Sequence, residues 1–325
     1  MDRQKLKNLY IESFGDSIEY TDYLYDNVYG ERGVKFIEKD GEIISSLAIL
    51  PRPFFYAKKT ISGAFISAVA TKKSERGKGV MKELMKTVLN DFSTSQCAVI
   101  FLSPENEAYY KSQGFCTILN ANLVDITPKE PFLKLKTVEN SQEFHFIKME
   151  NSSKFDLVNL RSSMFSEKLF LLHKVENNKI QKVYDGDKYL GYFIDDKDGI
   201  YEYSLPAKYM DRVETKSGKW FIYGSGKSFT MARIINPFLL FDDLVCDKNI
   251  DCSIKIEDDF LQKSYCMCLK TQNGRLECDR IDDAKKVVKI EELTKWAMGR
   301  EQNDSLFDLS TTLKEGKIHF TDRYL

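Results

Sequence analysis

Apolar and polar positions change period several times along the chain, and the changes mark out its elements. Residues 3 to 14 set Leu6, Leu9, Tyr10 and Phe14 on one face of a helix. A second helix is predicted from about Ser17 to Tyr29, where tyrosines interleave with Glu19, Asp22 and Asp26. Strand patterns follow at Val34 to Glu38 and Ile43 to Leu50, flanking Lys39-Asp40-Gly41-Glu42, a hairpin signal. Pro51-Arg52-Pro53 is expected to break the second strand, and Phe54 to Ala57 to begin a third. The apolar run Phe65 to Thr71 predicts a fourth. Arg76-Gly77-Lys78-Gly79 then leads into a helix in which Val80, Met81, Leu84, Met85, Val88, Leu89 and Phe92 recur at helical spacing. A short strand from Cys97 to Leu102, a helical turn through Tyr109-Tyr110-Lys111, a stop at Gly114-Phe115 and a closing strand from Cys116 to Ile126 complete a sheet.

The texture changes after Asp125. Pro128 and Pro131 between charged neighbours read as a linker. Beyond it, Asp156 to Ser162 predicts helix, Lys182 to Tyr184 and Tyr189 to Ile194 a hairpin about Asp185-Gly186-Asp187, and Ile200 to Leu205 a strand. Gly224-Ser225-Gly226-Lys227-Ser228 looks like the tail of a phosphate-binding loop, but such a loop needs glycine where Phe221 stands and a helix where Phe229 to Ile235 reads as strand. Strands at Cys252 to Ile256 and Tyr265 to Leu269, a turn at Asn273-Gly274 and a helix from Val288 to Gly299 follow.

At 325 residues the chain is long enough for two or three domains, and 42% hydrophobic content supports sizeable cores. With 48 basic and 49 acidic residues the net charge is −1, so no global field recommends nucleic acid or an anionic membrane as a partner. No signal-peptide core or membrane-spanning run is seen, and the cytoplasm is expected. Seven cysteines fit reduced thiols. Cys252, Cys266, Cys268 and Cys278 lack Cys-x-x-Cys spacing and a nearby histidine, so no metal is expected.

The chemistry concentrates between residues 65 and 115. Two glycines let the backbone at 76–79 turn closely with its N–H groups outward, and the first turn of the next helix adds unpaired N–H groups at the positive end of its dipole. With Arg76 and Lys78 this makes a cradle for phosphate or pyrophosphate, although a tight strand-to-helix turn with solvated basic residues would read the same way. The combination resembles the acetyl-CoA signature of the GNAT superfamily of N-acetyltransferases, Arg/Gln-x-x-Gly-x-Gly/Ala after the fourth strand. Arg76 and Gly79 match it. Met81 departs from the final small position, as in the enhanced-intracellular-survival branch, which reads Thr-x-x-x-x-Arg-Gly-x-Gly-x-Met/Leu. Asn106, Ala108, Tyr110, Gly114 and Phe115 reproduce the family's second motif with its first two gaps each shortened by one.

The resemblance implies an α+β (α/β) fold: a GNAT acetyltransferase domain over 1–127, an abbreviated, degenerate GNAT-like domain over 128–228 and a sterol-carrier-like domain over 229–325, assembled as a homo-oligomer, a hexamer in the family. It implies acetyl-CoA as cosubstrate, its pantetheine arm on the backbone of Val69 and Thr71, its pyrophosphate on Arg76, Gly77, Lys78, Gly79 and Val80, with Asn106 beside it. Tyr110 would protonate the departing thiolate, a transfer only slightly uphill from a phenol of pKa about 10 to a thiol near 8.5, with Tyr109 as its rival. The ending Phe320-Thr321-Asp322-Arg323-Tyr324-Leu325 resembles the family's tail, whose terminal carboxylate, here on Leu325, acts as general base. The expected function is acetyl transfer to a primary amine (aminoglycoside, polyamine or lysine), held by the tyrosines and carboxylates of the second helix. A lipid- or small-molecule-binding protein with a vestigial CoA site is the alternative, and a scaffolding protein a third.

Overall fold

The computed structural model describes residues 2–30, 33–152, 154–155, 157–246 and 249–299, and the backbone of 318–319. The first third runs α1 (Arg3–Phe14), α2 (Ile18–Tyr23) continuing as a wider turn over Leu24–Val28, β1 (Val34–Lys39), β2 (Glu42–Tyr56), β3 (Lys59–Thr71), α3 (Val80–Ser93), β4 (Val99–Leu102), α4 (Glu107–Lys111) and β5 (Cys116–Asp125). The middle holds β6 (Lys134–Thr137), α5 (Ser141–Ser152), β7 (Leu157–Asn159), α6 (Ser163–Val175), β8 (Lys179–Asp185), β9 (Lys188–Asp195), β10 (Tyr203–Ser204), β11 (Lys219–Tyr223) and β12 (Lys227–Ile234). Then come α7 (Pro237–Phe241), β13 (Asp251–Asp258), β14 (Lys263–Gln272), β15 (Arg275–Ile281), β16 (Lys286–Lys289), α8 (Ile290–Ala297) and β17 (Ile318–His319). The fold is mixed α/β.

The large sheet has the order β11-β5-β12-β4-β3-β2-β7-β17, with β1 also paired to β2. Alternation along its strands sends Leu47, Ile49, Ala64 and Ile66 to the face covered by α3 and α4, and Ala48, Leu50, Phe54 and Phe65 to the face covered by α1 and α2. Two smaller sheets, β10-β9-β8-β6 and β15-β14-β13-β16, belong to the middle and C-terminal parts.

Three sequence expectations are corrected. Pro51 and Pro53 do not break the chain: β2 is continuous from Glu42 to Tyr56, paired to β3 throughout its second half. Ile49 N–H bonds Gly33 and the Pro53 carbonyl accepts from Leu160 N–H, so odd positions face away from β3 and the prolines remove N–H groups only from that outer edge. The stretch expected as helix at 156–162 contains strand β7, because Leu157 and Val158 are wholly buried and pair with Tyr56 and Phe55. The strand expected to open the C-terminal domain is β12, an internal member of the first sheet, between β4 and β5. Its residues from Phe229 to Ile235 are all buried, a pattern that requires neighbours on both edges and cover on both faces.

The C-terminal sheet is tied to the first by Arg233 on β12. Its guanidinium contacts Asp258 of β13 at 2.5 Å and donates to the carbonyl of Gln113, just past α4, at 2.8 Å, all of it buried. Thr294 of α8 accepts from Ile234 N–H, and the Tyr56 hydroxyl donates to the carbonyl of Ala297. Arg233→Met should cost about 3–5 kcal/mol in urea unfolding by leaving the Asp258 carboxylate buried and uncompensated, while adding Asp258→Leu should recover most of the loss.

Glu176, at the end of α6, meets Asp196 and Asp16, and burial first, then those two charges, push its carboxyl up to about 7. Asn178 donates to both Glu176 and Asp196. A carboxyl raised in the folded state contributes stability that is whole below its unfolded pKa near 4.3 and is lost as pH rises to about 7. Glu176→Gln should therefore be more stable than the parent above pH 7 by roughly 1–2 kcal/mol, allowing for partial solvent screening, and converge with it near pH 4 in thermal melts across that range.

Candidate active site

The strand that organises the site is β3. It pairs in parallel with β4 only from Gly63 to Ile66, and β4 ends at Leu102. Five further residues, Ser67 to Thr71, run on with no strand paired to that edge among the described residues. On the opposite edge Ser67 sits across from Ala48 and Ala70 across from Ser46, so Ala68 and Val69 together face Leu47. This is a β-bulge, and Ala68 accommodates it at φ 51°. The bulge re-aims the backbone at the point where β3 and β4 part, leaving main-chain groups that an extended, amide-containing molecule can pair with as an added strand.

The chain then turns into α3. Gly77 and Gly79 adopt φ 78° and 82°, left-handed values that a side chain rarely takes. Gly79 caps α3 without a side-chain hydrogen bond, so the first-turn N–H groups are open to a ligand anion. Arg76 Nε donates to the carbonyl of Thr71 at 2.9 Å, folding the turn back on the end of β3, and Lys78 pairs with Glu75 at 3.1 Å. Arg76, Gly77, Lys78 and Gly79 are exposed, and Val69, Thr71 and Val80 are partly covered. The predicted cradle and the predicted strand edge thus lie at the two ends of one continuous stretch, 67–80.

Tyr110 projects from α4 into the core shared by Met81, Leu84, Ile66 and Leu102, with Phe115 edge-on at 6.0 Å. Burial, then the neighbouring Tyr109 and Glu105, raise its phenol well above the ordinary value, so it is neutral throughout the usual pH range. Tyr109 is half-buried and edge-on to Tyr110 at 5.1 Å. Asn106 acts as the N-cap of α4, its side-chain oxygen accepting from Tyr109 N–H at 3.4 Å. Leu325 lies outside the described residues.

The second helix is arranged differently from expectation. Tyr20, Tyr25 and Tyr29 are buried, but Asp22 and Asp26 are held by Lys7 at 2.8 and 3.0 Å, Asp26 also by Arg3, and Glu19 is exposed. Their carboxylates therefore serve the α1–α2 contact. Tyr29 reaches the site itself, its hydroxyl accepting from Ser67 Oγ at 3.4 Å. It also borders a cavity of about 920 Å³ lined by Gly33, Arg52, Arg161, Phe165 and Lys168 among others. The cavity opens where β2 loses its outer neighbour: β1 covers that edge as far as Ala48 and β7 begins at Phe54. Neither arginine was singled out in the sequence. The one local sign was Pro51-Arg52-Pro53, prolines at alternate positions keeping an edge unpaired around a cation.

The sequence model of the acetyltransferase (GNAT) domain matches residues 1–118. No curated protein sequence matches the chain. Among solved structures, a GCN5-related N-acetyltransferase from Anabaena variabilis superposes with TM-score 0.71 at 18% identity over 94% of this chain and 88% of its own. A probable N-acyltransferase from Enterococcus faecalis gives 0.70 at 16% over 92% and 87%. Eis1 from Mycobacterium abscessus gives 0.66 at 11% over 91% and 87%. At these identities the likeness is one of fold, and it extends over all three parts of the chain. Residues 1–118 of this chain are a GNAT acetyltransferase domain, and the chain is an acyltransferase enzyme built on it.

Proposed function

We propose that the chain transfers acetyl from acetyl-CoA to a primary amine by direct attack. The observation that carries this reading is the free edge of β3 from Ser67 to Thr71, bulged at Ala68 and running straight into an uncapped helix N-terminus. A pantetheine arm offers amides at the spacing of a strand, and its pyrophosphate is the anion such a helix end attracts. Backbone groups of Val69 and Thr71 take the arm. Gly77, Lys78, Gly79 and Val80 hold the pyrophosphate, Arg76 braces the turn through Thr71, and Asn106 sets the start of α4.

Acetyl transfer requires a neutral amine against the thioester, donors for the developing oxyanion and a proton for the thiolate. Backbone N–H groups at the bulge supply the oxyanion donors. Tyr110 supplies the proton. Its raised pKa keeps it a hydrogen-bond donor at every working pH and makes full transfer costlier than for a free phenol, so the phenol stabilises the thiolate as it forms. The main-chain carboxylate of Leu325 takes the proton of the amine, and needs burial or an intervening water to do so. The described backbone at Ile318–His319, paired with β7 at the edge of the first sheet, supports a tail that returns to this domain.

CoA release should be measured on untagged protein with polyamines, aminoglycosides and lysine peptides. Tyr110→Phe should lower kcat about 100-fold with little change in the KM for acetyl-CoA, and deletion of Leu325 should depress kcat and shift the pH profile. Undiminished turnover in either variant removes that residue from the mechanism.

A further inference from the structure

We propose that Ser67 is a catalytic residue of the acyl transfer: its hydroxyl oxygen accepts an N–H of the attacking amine, and Tyr29 orients that hydroxyl. This rests on the acetyltransferase reading and adds to it the group that receives the nucleophile.

Ser67 is the first residue of β3 beyond its last pair with β4, Ile66 with Leu102, and the last before the bulge at Ala68. Its register opposite Ala48 sends its side chain to the α1–α2 face, with Phe65 and Tyr29, while Ile66, Leu102 and Tyr110 share the other face. A thioester lying in the gap between the two strands therefore has the phenol of Tyr110 on one side for its sulfur and the hydroxyl of Ser67 on the other for the incoming nitrogen.

The hydroxyl is set as an acceptor. Ser67 Oγ gives its one hydrogen to the Tyr29 oxygen at 3.4 Å, and among the described residues nothing donates to the Oγ lone pairs. Ser67 is 7% exposed and Tyr29 4%, so these lone pairs are open in a largely covered place. Burial raises the Tyr29 phenol above its ordinary pKa, which keeps it an uncharged partner across the working pH range. Asp22 and Asp26 are turned to Lys7 and Arg3. The amine therefore meets a neutral oxygen here, which does not favour the ammonium form as a carboxylate would and leaves the attacking lone pair free. The cavity that Tyr29 borders gives room for the body of the acceptor.

In the step itself the nitrogen lone pair forms the N–C bond and the C–S bond breaks. The sulfur takes a proton from Tyr110, and the nitrogen loses one to the base. The second N–H of a primary amine donates to Ser67 throughout. That bond strengthens as the nitrogen becomes cationic, so it lowers the barrier more than it tightens binding.

The test compares primary amines with their N-methyl counterparts, which have one N–H fewer: an Nα-acetylated lysine peptide against its Nε-methyllysine form, and putrescine against N,N′-dimethylputrescine. Ser67→Ala should lower kcat for the primary amine by about 10- to 100-fold, the worth of a charge-assisted hydrogen bond, and leave the methylated amine, the KM for acetyl-CoA and the melting temperature nearly unchanged. Ser67→Cys, close in volume but a weak acceptor, should behave alike and decides the matter if the alanine variant does not fold. Tyr29→Phe frees the Ser67 hydrogen to engage the nitrogen lone pair and should lower kcat in the same direction by a smaller factor. Unchanged kcat in both Ser67 variants, or an equal loss with primary and methylated amines, overturns the proposal and leaves the acetyltransferase reading standing. So does a gain for the methylated amine alone, which reports room rather than a lost hydrogen bond. A parent that binds acetyl-CoA and turns over no amine overturns that reading and the proposal together.

Discussion

The site depends on how β4 is flanked. This strand of four residues, Val99 to Leu102, is wholly buried and pairs on one edge with β3 in parallel and on the other with β12 antiparallel. A parallel pair requires a crossover, here the Gly77–Gly79 turn and α3, so shortening β4 exposes the end of β3 and the same crossover sets a helix N-terminus beside it. Strand edge and anion cradle are two results of one topological fact. The bulge at Ala68 finishes the arrangement by turning the backbone where the strands part.

What was legible in the sequence was local. The apolar face of α3, the glycines of its entry turn, the hairpin signals at Asp40-Gly41 and Asn273-Gly274 and the spacing of Tyr110 from Gly114 depend on residues within a few positions of each other, and each lies where periodicity and turn chemistry put it. What was not legible depends on partners far along the chain. Pro51 and Pro53 read as breakers because nothing nearby says that, among the described residues, no strand pairs with the edge their nitrogens face. Leu157-Val158 reads as helix until Phe55 and Tyr56 pair with it. Arg52 and Arg161 are separated by a hundred residues and meet only after the middle part packs against β2. Tyr20 and Tyr25 of the second helix lie in the core and Tyr29 alone of its tyrosines borders the cavity, and the helix's carboxylates could not be assigned without knowing that Lys7 and Arg3 face them.

Charge is distributed unevenly around the candidate site. Tyr110 is a neutral phenol, the turn at 76–79 exposes basic residues and glycines, and buried guanidinium groups line the cavity beyond Tyr29. Separate acidic groups, Asp16, Glu176 and Asp196, gather at the contact between the α1–α2 turn and the end of α6. The guanidinium and carboxyl clusters join chain segments far apart in sequence, whereas the basic turn at 76–79 is exposed and, among the described residues, contacts only its own neighbours.

The position of β12 bears on how the molecule is made. The acetyltransferase domain defined by sequence ends at residue 118, yet its sheet lacks a central strand until residues 227–234 arrive. During synthesis β4 and β5 emerge with facing edges open and wait for more than a hundred further residues. Pairings this distant in sequence are slow to form, and the nascent chain is exposed to wrong partners meanwhile. The sequence unit and the folding unit are therefore different objects, and an expressed fragment ending at 118 keeps only the first residues of β5 and leaves the β4 edge that β12 covers in the whole chain unpaired.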